Sequence, residues 1–307
     1  MKVLMATDGS KDATVALRTA NRLLRRADNQ VVELLCVAPE LSLPNPNHGK
    51  GKGNGTRVRG EYQRQIGLET ERILKQSQQM LRAEGLTTNA LSRSGSPSRI
   101  IVQLTGEYDL TVVGAHDRYE CSKRGIGPVA SRVVAHGSGA VLVGRELTAE
   151  RTPRVLLGVD GSLASERAME LMASYFNLNS AEITLMHVVE TPWVHLGLER
   201  EWFDYAGSLP ERDDSEISFE QELRLGAEPL IEDARTRLER YGLSSTTVVE
   251  EGDPALEILS EAEKGEYDLI VLGATGAAGL KHDILGSVSA KVAHDATCSV
   301  LVVKSSE

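Results

Sequence analysis

The two halves of this chain of 307 residues repeat the same landmarks in the same order. The segment KVLMATDGS at residues 2–10 recurs as RVLLGVDGS at 154–162, and DLTVVGAHD at 109–117 recurs as DLIVLGATG at 268–276. Three further pairs match in the same way, namely 32–40 with 183–191, 95–97 with 252–254, and 139–146 with 298–305. Five shared landmarks in the same order indicate that one domain has been duplicated.

The length of the chain agrees with two domains, since it is long for one parallel-sheet domain. Residues 145–154, RELTAERTPR, are short and polar, which is typical of a linker. We therefore expect a first domain over residues 1–145 and a second over 154–307.

Apolar runs alternate with amphipathic stretches in each half, which predicts the α/β class with helices on both faces of a parallel sheet. Right-handed crossovers in a unit of five strands favour the strand order 3-2-1-4-5. The predicted strands of the second half cover 154–159, 182–189, 246–250, 268–273 and 298–303, and the predicted helices cover 163–176, 219–241, 254–263 and 286–295. A ligand crevice is expected where this order reverses, between strands 1 and 4.

A glycine-rich loop follows the fourth strand of the second half. Gly273, Gly276, Gly286 and Ser287 give the spacing G-x2-G-x9-G-S. Glycine lets the backbone N–H groups turn toward one point, and no Cβ blocks an anion from approaching. The helix that follows adds unpaired N–H groups and the positive end of its dipole, with Ser289 on its first turn. The pattern predicts a phosphate cradle that lacks a Walker lysine.

Together with Asp160-Gly161-Ser162 after the first strand, this loop resembles the ATP-binding members of the universal stress protein family. The resemblance covers both halves and implies adenine nucleotide alpha hydrolase-like domains that pair through their last strands, here at 141–143 and 300–303, as an intramolecular pseudo-dimer. It also implies ATP as cofactor, with or without Mg²⁺, and a role in stress tolerance. The nucleotide-binding positions that it implies are Val159, Asp160, Val188, Gly273, Gly276, Gly286, Ser287, Val288 and Ser289.

Each of these positions also has a purely structural explanation. The glycines could form tight turns in a surface loop, and Asp160 could accept hydrogen bonds within its own turn. Ser287 could cap the helix, a role for which serine is preferred. Ser289 could be an exposed serine of the first turn, and Val188, whose backbone would meet the adenine edge by the resemblance, could be a core residue.

Two further polar positions favour structural roles. His187 is expected to be a packed, hydrogen-bonded residue of the second strand rather than a ligand. Asp253 is expected to cap the next helix, with Pro254 in its first position, where a missing N–H costs nothing.

The first half departs from the loop pattern. Asp117 replaces the second glycine, which places a Cβ and a negative charge where phosphates would lie. Pro128 replaces the serine, which removes a hydroxyl and one N–H, although proline still starts a helix well. We expect the fold to survive and the first site to be defective for ATP. The sequence still allows the first site to bind a ligand that has no triphosphate, because Asp8, Gly9 and Ser10 remain.

Composition restricts the partners and the compartment. The net charge of −10 argues against general binding to nucleic acid or to a membrane surface. No apolar run is long enough to cross a bilayer, and MKVLMATDG predicts a strand and a turn rather than a signal peptide. The 3 cysteines form no CxxC motif, which fits a reducing cytoplasm.

Each half carries an insertion after its second strand. Residues 45–60 are glycine-rich and basic, which predicts a solvated loop, with a flap over a phosphate as the alternative. Residues 190–220 are acidic and contain Trp193, Trp202, Phe203, Tyr205 and Phe219. Such aromatic side chains are expected to pack on their own domain, on a partner surface or as a lid over the pocket.

We expect binding rather than catalysis. No Ser/His/Asp constellation, acid–base pair or metal-ligand cluster accompanies the loop in the sequence. The expected function is that of a nucleotide-dependent regulator that hydrolyses ATP slowly at most and forms a homodimer. Two alternatives stay open, an ATP-hydrolysing or adenylate-transferring enzyme of the same superfamily and an interaction scaffold without nucleotide.

Overall fold

The computed structural model describes residues 1–26, 30–40, 54–116, 125–147, 151–178, 180–190, 214–276 and 285–304, without the side chains of 54–59 and 214–225. The chain divides into two compact units, Met1–Glu146 and Leu147–Glu307. The loop predicted for residues 45–60 is wrong over 54–60, because a helix begins at Asn54. The rest of that loop and the aromatic side chains of 190–220 lie outside the described residues, so those expectations stay predictions.

The first unit alternates strands and helices along the chain. Its strands are β1 Lys2–Ala6, β2 Val31–Ala38, β3 Asn89–Ser94, β4 Leu110–Gly114 and β5 Ala140–Gly144. Its helices are α1 Lys11–Leu23, α2 Asn54–Ala83, α3 Pro97–Thr105 and α4 Pro128–His136. All pairings are parallel, and β1 lies between β2 and β4, with β3 and β5 outside them. This arrangement is the predicted order 3-2-1-4-5.

The second unit repeats this plan. Its strands are β6 Arg154–Gly158, β7 Glu182–Val189, β8 Ser245–Glu251, β9 Leu269–Gly273 and β10 Ser299–Val303. Its helices are α5 Leu163–Tyr175, α6 Asp214–Glu239, α7 Pro254–Lys264 and α8 Ser287–Asp295. The strand β6 pairs in parallel with β7 and β9, while β8 and β10 flank them. The α/β class and the strand order are confirmed in both units, whereas pseudo-dimer packing stays a prediction.

Helix α6 begins earlier than the sequence predicted, at residue 214 rather than 219. The sequence there is Asp-Asp-Ser-Glu at 213–216, and short polar and acidic residues are favoured at helix N-termini. The last residues of the predicted acidic insertion, 190–220, therefore belong to this helix. The predicted strands of the second unit agree with the structure to within one residue at each end.

The central strands carry consecutive buried side chains. Val3, Leu4 and Met5 of β1 are each 0% exposed. Successive side chains of a strand point to opposite faces, so such a run needs cover on both faces. In the first unit α1 packs on β4 and β5 and α2 on β2 and β3, while α3 and α4 pack together and on β2 and β5. In the second unit α5 packs on β9 and β10 and α6 on β7 and β8, while α7 and α8 pack together and on β7 and β10. Within the described part of the chain, no helix combines the length and apolar content that spanning a membrane would need.

An aspartate fixes the start of the fourth strand of each unit. Asp109 accepts a hydrogen bond from the backbone N–H of Lys2 at 2.7 Å, and Asp268 accepts one from the backbone N–H of Arg154 at 2.9 Å. Each bond joins the beginning of the fourth strand to the beginning of the first. The repeated Asp-Leu pair of the sequence therefore sets the register at the centre of each sheet.

The tyrosine before each of these aspartates anchors the same region to the second strand. Tyr108 donates its hydroxyl to Glu33, and Tyr267 donates its hydroxyl to Thr184 at 2.8 Å. Burial is the main cause that raises the pKa of both tyrosines, and the carboxylate of Glu33 raises the pKa of Tyr108 further. Both hydroxyls therefore stay protonated and keep donating at neutral pH.

The predicted cap of helix α7 is confirmed and provides a test. Asp253 accepts a hydrogen bond from the backbone N–H of Leu256 at 2.9 Å, and Pro254 is the first helical residue. Ser96 is the N-cap of α3 in the first unit, but its side chain makes no capping bond. We expect Asp253→Ala to lower the free energy of unfolding by about 1 kcal/mol and Ser96→Ala to lower it by less than about half of that. Urea titrations followed by circular dichroism compare the two variants, and equal losses would contradict the assignment.

Glu257, on the first turn of α7, gives the second unit a pH dependence. Burial, followed by the nearby charge of Glu250, raises the pKa of its carboxyl. The folded state therefore favours the protonated form, and stability falls as pH rises from the ordinary glutamate pKa through the raised one. We expect Glu257→Gln to be more stable than the parent at pH 7 and no more stable below about pH 4. Melting curves of both proteins between about pH 4 and pH 7 measure this difference in stability. A Glu257→Gln protein that is less stable than the parent at pH 7 would contradict the prediction.

Candidate functional site

The two sequence motifs of the second unit meet at the reversal of its strand order. Asp160 follows β6, Gly273 ends β9, and these strands are neighbours in the sheet. The hydroxyl of Ser162 donates to the carbonyl oxygen of Thr275 at 3.2 Å, which joins the Asp-Gly-Ser turn to the glycine loop. The convergence that the sequence predicted is present.

The Asp-Gly-Ser turn is closed by its own side chains. Asp160 Oδ1 accepts from the backbone N–H of Ser162 at 2.9 Å, and Gly161 has a positive φ of 74°. Ser162 caps α5 by accepting from the backbone N–H of Ser165 at 3.1 Å. The second carboxylate oxygen of Asp160 faces Gly276, since a Cβ built on that glycine would lie 3.3 Å from Oδ2. Asp160 thus both closes the turn and borders the loop.

Gly273 is required by packing. A Cβ on this residue would lie 2.5 Å from the backbone nitrogen of Ser165 and 2.6 Å from the carbonyl carbon of Ala164. The first unit has the same contact, because a Cβ on Gly114 would lie 2.8 Å from the backbone nitrogen of Ala13. The sequence suggested anion access or a tight turn as the reason for this glycine, whereas the structure shows a helix start pressed against the end of a strand.

The far end of the glycine loop is fixed to its beginning. The backbone N–H of Gly286 donates to the carbonyl oxygen of Ala274 at 2.6 Å, and a Cβ on Gly286 would lie 3.0 Å from that same oxygen. Gly276 is exposed at the mouth of the loop. Residues 277–284, which connect the two ends, lie outside the described residues.

The start of helix α8 offers three N–H groups in a row. Its N-cap is Gly286, which has no side chain to accept a hydrogen bond, and Ala290 makes the first helical bond, to the Gly286 carbonyl at 2.9 Å. The preceding N–H groups of Ser287, Val288 and Ser289 therefore point out of the helix end. The interpretation of Ser287 as the N-cap is wrong, because the helix begins at that residue, and its side chain is exposed.

Ser289 does not match the expectation of an exposed first-turn serine. Its side chain is buried, and its hydroxyl donates to the carbonyl oxygen of Gly273 at 2.6 Å. This bond fastens the first turn of α8 to the end of β9. The hydroxyl hydrogen is therefore committed within the protein, and the backbone N–H is the donor that Ser289 can offer to an anion.

The second strand of the unit contributes a fixed edge to the crevice. The N–H of Val159 donates to the Met186 carbonyl at 2.8 Å, and His187 Nδ1 lies 2.7 Å from the carbonyl oxygen of Val159. Because a carbonyl only accepts, Nδ1 carries the hydrogen. His187 is thus the hydrogen-bonded strand residue that was predicted. Val159 is buried and Val188 is half-buried near the end of β7.

The corresponding helix of the first unit forms in spite of its altered sequence. Pro128 is the first residue of α4, and the N–H of its N-cap Gly127 donates to the Ala115 carbonyl at 2.7 Å. The prediction that this fold survives is confirmed. Asp117 lies outside the described residues, and weaker ATP binding by this unit stays a prediction.

Sequence reasoning gave Ser162 no role of its own, although its hydroxyl links the two motifs. The signal was present, since Ser10 occupies the same place in the first unit and caps α1 in the same way at 3.1 Å. In the part of the chain that the structure describes, no three His, Cys, Asp or Glu side chains group as metal ligands would.

The fold and the loop define a doubled parallel α/β protein whose second copy has a glycine loop followed by a helix start with three outward N–H groups. The family model described as the universal stress protein family matches residues 1–145 and 152–304, and the chain belongs to that family.

Two relatives support this membership. A universal stress protein of Bacillus subtilis, YxiE, is 32% identical over 157 residues, which are 49% of this chain and 98% of the relative. One from Mycolicibacterium smegmatis is 29% identical over 72% of this chain and 70% of its own length. The crystal structure of a universal stress protein from Archaeoglobus fulgidus matches 99% of this chain and 98% of its own with a TM-score of 0.65 at 19% identity, which shows the fold.

The packing role of Gly273 can be tested by adding one methyl group. We expect Gly273→Ala to lower the free energy of unfolding by about 2 kcal/mol or more, because the added Cβ meets backbone atoms that cannot rotate away. Gly106→Ala is the control, since Gly106 is exposed, has a φ of −67° and has no atom within 4 Å of an added Cβ. Denaturant titration measures both, and a Gly273→Ala protein as stable as the control would contradict the packing argument.

Proposed function

We propose that the second unit binds ATP and that the protein acts as a nucleotide-dependent regulator in a stress response. The observation that carries the proposal is the row of outward N–H groups at Ser287, Val288 and Ser289, beside the exposed Gly276. Backbone N–H groups and the positive end of a helix dipole together favour a phosphate group. Family membership supports the stress-related role.

The residues around this helix start fit the remaining parts of a nucleotide. Asp160 Oδ2 borders the loop and can accept a hydrogen bond from a ribose hydroxyl, while Oδ1 holds the turn. We assign the adenine to the end of β7, where the half-buried Val188 follows His187, the residue that is bonded to the Val159 carbonyl. If Mg²⁺ accompanies the triphosphate, Asp160 supplies an oxygen of the kind that Mg²⁺ prefers.

The proposed activity is binding. Backbone donors stabilise a bound triphosphate but cannot remove a proton from an attacking water, which a general base must do. The polar side chains near the loop already have structural partners: Ser162 caps α5, Ser289 bonds to Gly273, and His187 donates to Val159. From family membership we also propose an adenine nucleotide as the partner and a homodimer, and from the absence of a CxxC motif in the sequence a cytoplasmic location.

A carboxylate placed in the loop tests the proposal. We expect Gly276→Asp to weaken ATP binding about 100-fold or more, because a negative charge about 4 Å from a phosphate costs about 4 kcal/mol at an effective dielectric constant of 20. Gly106→Asp is the matched control, since it adds the same charge at an exposed position of the first unit. Isothermal titration calorimetry with Mg·ATP measures affinity and stoichiometry, and circular dichroism checks that each variant is folded.

The parent protein is expected to bind one ATP per chain and to show no turnover above a trace in a phosphate-release assay. Equal affinities of the parent and the folded Gly276→Asp variant would exclude the loop as the phosphate site. Two equal sites per chain would contradict the assignment of the first unit as defective. A turnover that disappears in Gly276→Asp would instead favour the enzyme.

A further inference from the structure

The first unit contains a cavity of about 510 Å³ at the carboxyl ends of β1 and β4. This volume lies within the range that small-molecule sites occupy, about 300–1,000 Å³. Apolar side chains such as Leu35, Val37 and Val113 form much of its wall. The cavity therefore has room for a ligand with a sizeable apolar body.

One face of helix α2 closes the cavity. Six residues of this helix line it: Tyr62, Gln65, Ile66, Glu69, Thr70 and Ile73. Their alternating spacing of three and one places them along a single helix face. The two most buried of them offer no free donor, because Ile73 is apolar and the Thr70 hydroxyl already donates to the Ile66 carbonyl at 2.8 Å.

The charges around the cavity disfavour an anion. Asp8 and Glu69 both line it, and the described part of its wall includes no lysine or arginine. Asp8 holds the backbone N–H of Ser10 at 2.8 Å, and Glu69 pairs with Arg72 through two bonds of 2.8 and 2.7 Å outside the cavity. The helix start that would meet a phosphate begins with Pro128, which has no N–H. A phosphorylated ligand would thus meet carboxylates and few donors.

His116 lines this wall and has a hydrogen-bond partner at only one of its two ring nitrogens. Its Nδ1 lies 2.8 Å from Asp12 Oδ2, and because a carboxylate only accepts, Nδ1 carries a hydrogen. Its Nε2 is buried and has no hydrogen-bond partner among the described residues. In the neutral imidazole with this tautomer, Nε2 is a hydrogen-bond acceptor. A buried acceptor left without a donor is costly, so the cavity favours a ligand that brings one.

The histidine–aspartate pair belongs to the first unit alone. In the aligned positions of the second unit, Thr275 replaces His116 and Ala164 replaces Asp12. The two copies therefore present different chemistry at the same place in the fold.

From this geometry we propose that the first unit is a separate site for a neutral ligand with an aromatic or otherwise apolar body and one O–H or N–H group, which donates to His116 Nε2. The apolar body fills the space between the sheet end and α2. The site is independent of the ATP site proposed for the second unit.

Three naphthalene probes test the proposal on the full chain at pH 7.5. 2-Naphthol is neutral and has a hydroxyl donor, 2-methoxynaphthalene has the same ring without a donor, and 2-naphthoate is an anion. We expect saturable binding of one 2-naphthol per chain by fluorescence titration, roughly fivefold weaker binding of 2-methoxynaphthalene because one hydrogen bond is lost, and no saturable binding of 2-naphthoate.

Substitutions locate the site and its acceptor. His116→Phe should reduce the affinity for 2-naphthol to that for 2-methoxynaphthalene. Thr275→Val, at the aligned position of the second unit, should leave the affinities for both probes unchanged. Ile66→Trp should block both neutral probes by filling the cavity, whereas Leu68→Trp on the exposed side of the same helix, where Leu68 is 58% exposed, should not.

Several results would overturn the proposal, and they do not depend on whether ATP binds. If the parent protein bound 2-naphthol and 2-methoxynaphthalene equally well, the ligand would not donate a hydrogen bond to His116, and the proposal would be wrong. This comparison needs only the parent protein, so it holds even if the His116 variant fails to fold. Preferred binding of 2-naphthoate would show an anion site. Loss of 2-naphthol binding in Gly276→Asp, but not in Ile66→Trp, would place the probe in the second unit.

Discussion

The second unit depends on the close approach between the start of helix α5 and the last residue of β9. No side chain fits between them, since a Cβ on Gly273 would lie 2.5 Å from the Ser165 nitrogen. This contact brings the N-cap Ser162 against the loop, where its hydroxyl reaches the Thr275 carbonyl. The same strand end receives the hydroxyl of Ser289 from α8. Two helix starts are therefore held at one point, and the proposed phosphate contacts are formed by the second of them.

Much of this architecture could be predicted because it follows from short-range rules. Most strands of the second unit are short apolar runs, and the bounds of all five were predicted to within one residue. The strand order follows from the handedness of parallel crossovers. The cap at Asp253 follows from a side chain and its own helix, without help from the tertiary structure.

The roles of Ser287 and Ser289 were not predicted correctly, because they depend on the exact residue at which helix α8 begins. Sequence patterns place a helix start only approximately, and here the cap is Gly286 rather than Ser287. Each residue turns a helix by about 100°, since 3.6 residues make one turn, so the phase decides which side chains face inward. That phase buries Ser289 and exposes Ser287. The packing role of Gly273 was missed for a different reason, because a helix and a strand far apart in sequence make that contact.

The glycine that the scaffold needs and the residues that a ligand would touch are different residues. Gly114 and Gly273 keep the same tight contact in both units, while His116 and Thr275, two positions further along, differ. Substitutions at these two ligand-facing positions can consequently change which ligand a copy binds without destabilising its fold. In a tandem protein, one copy can therefore keep its ligand specificity while the other acquires a different one, and both copies stay folded.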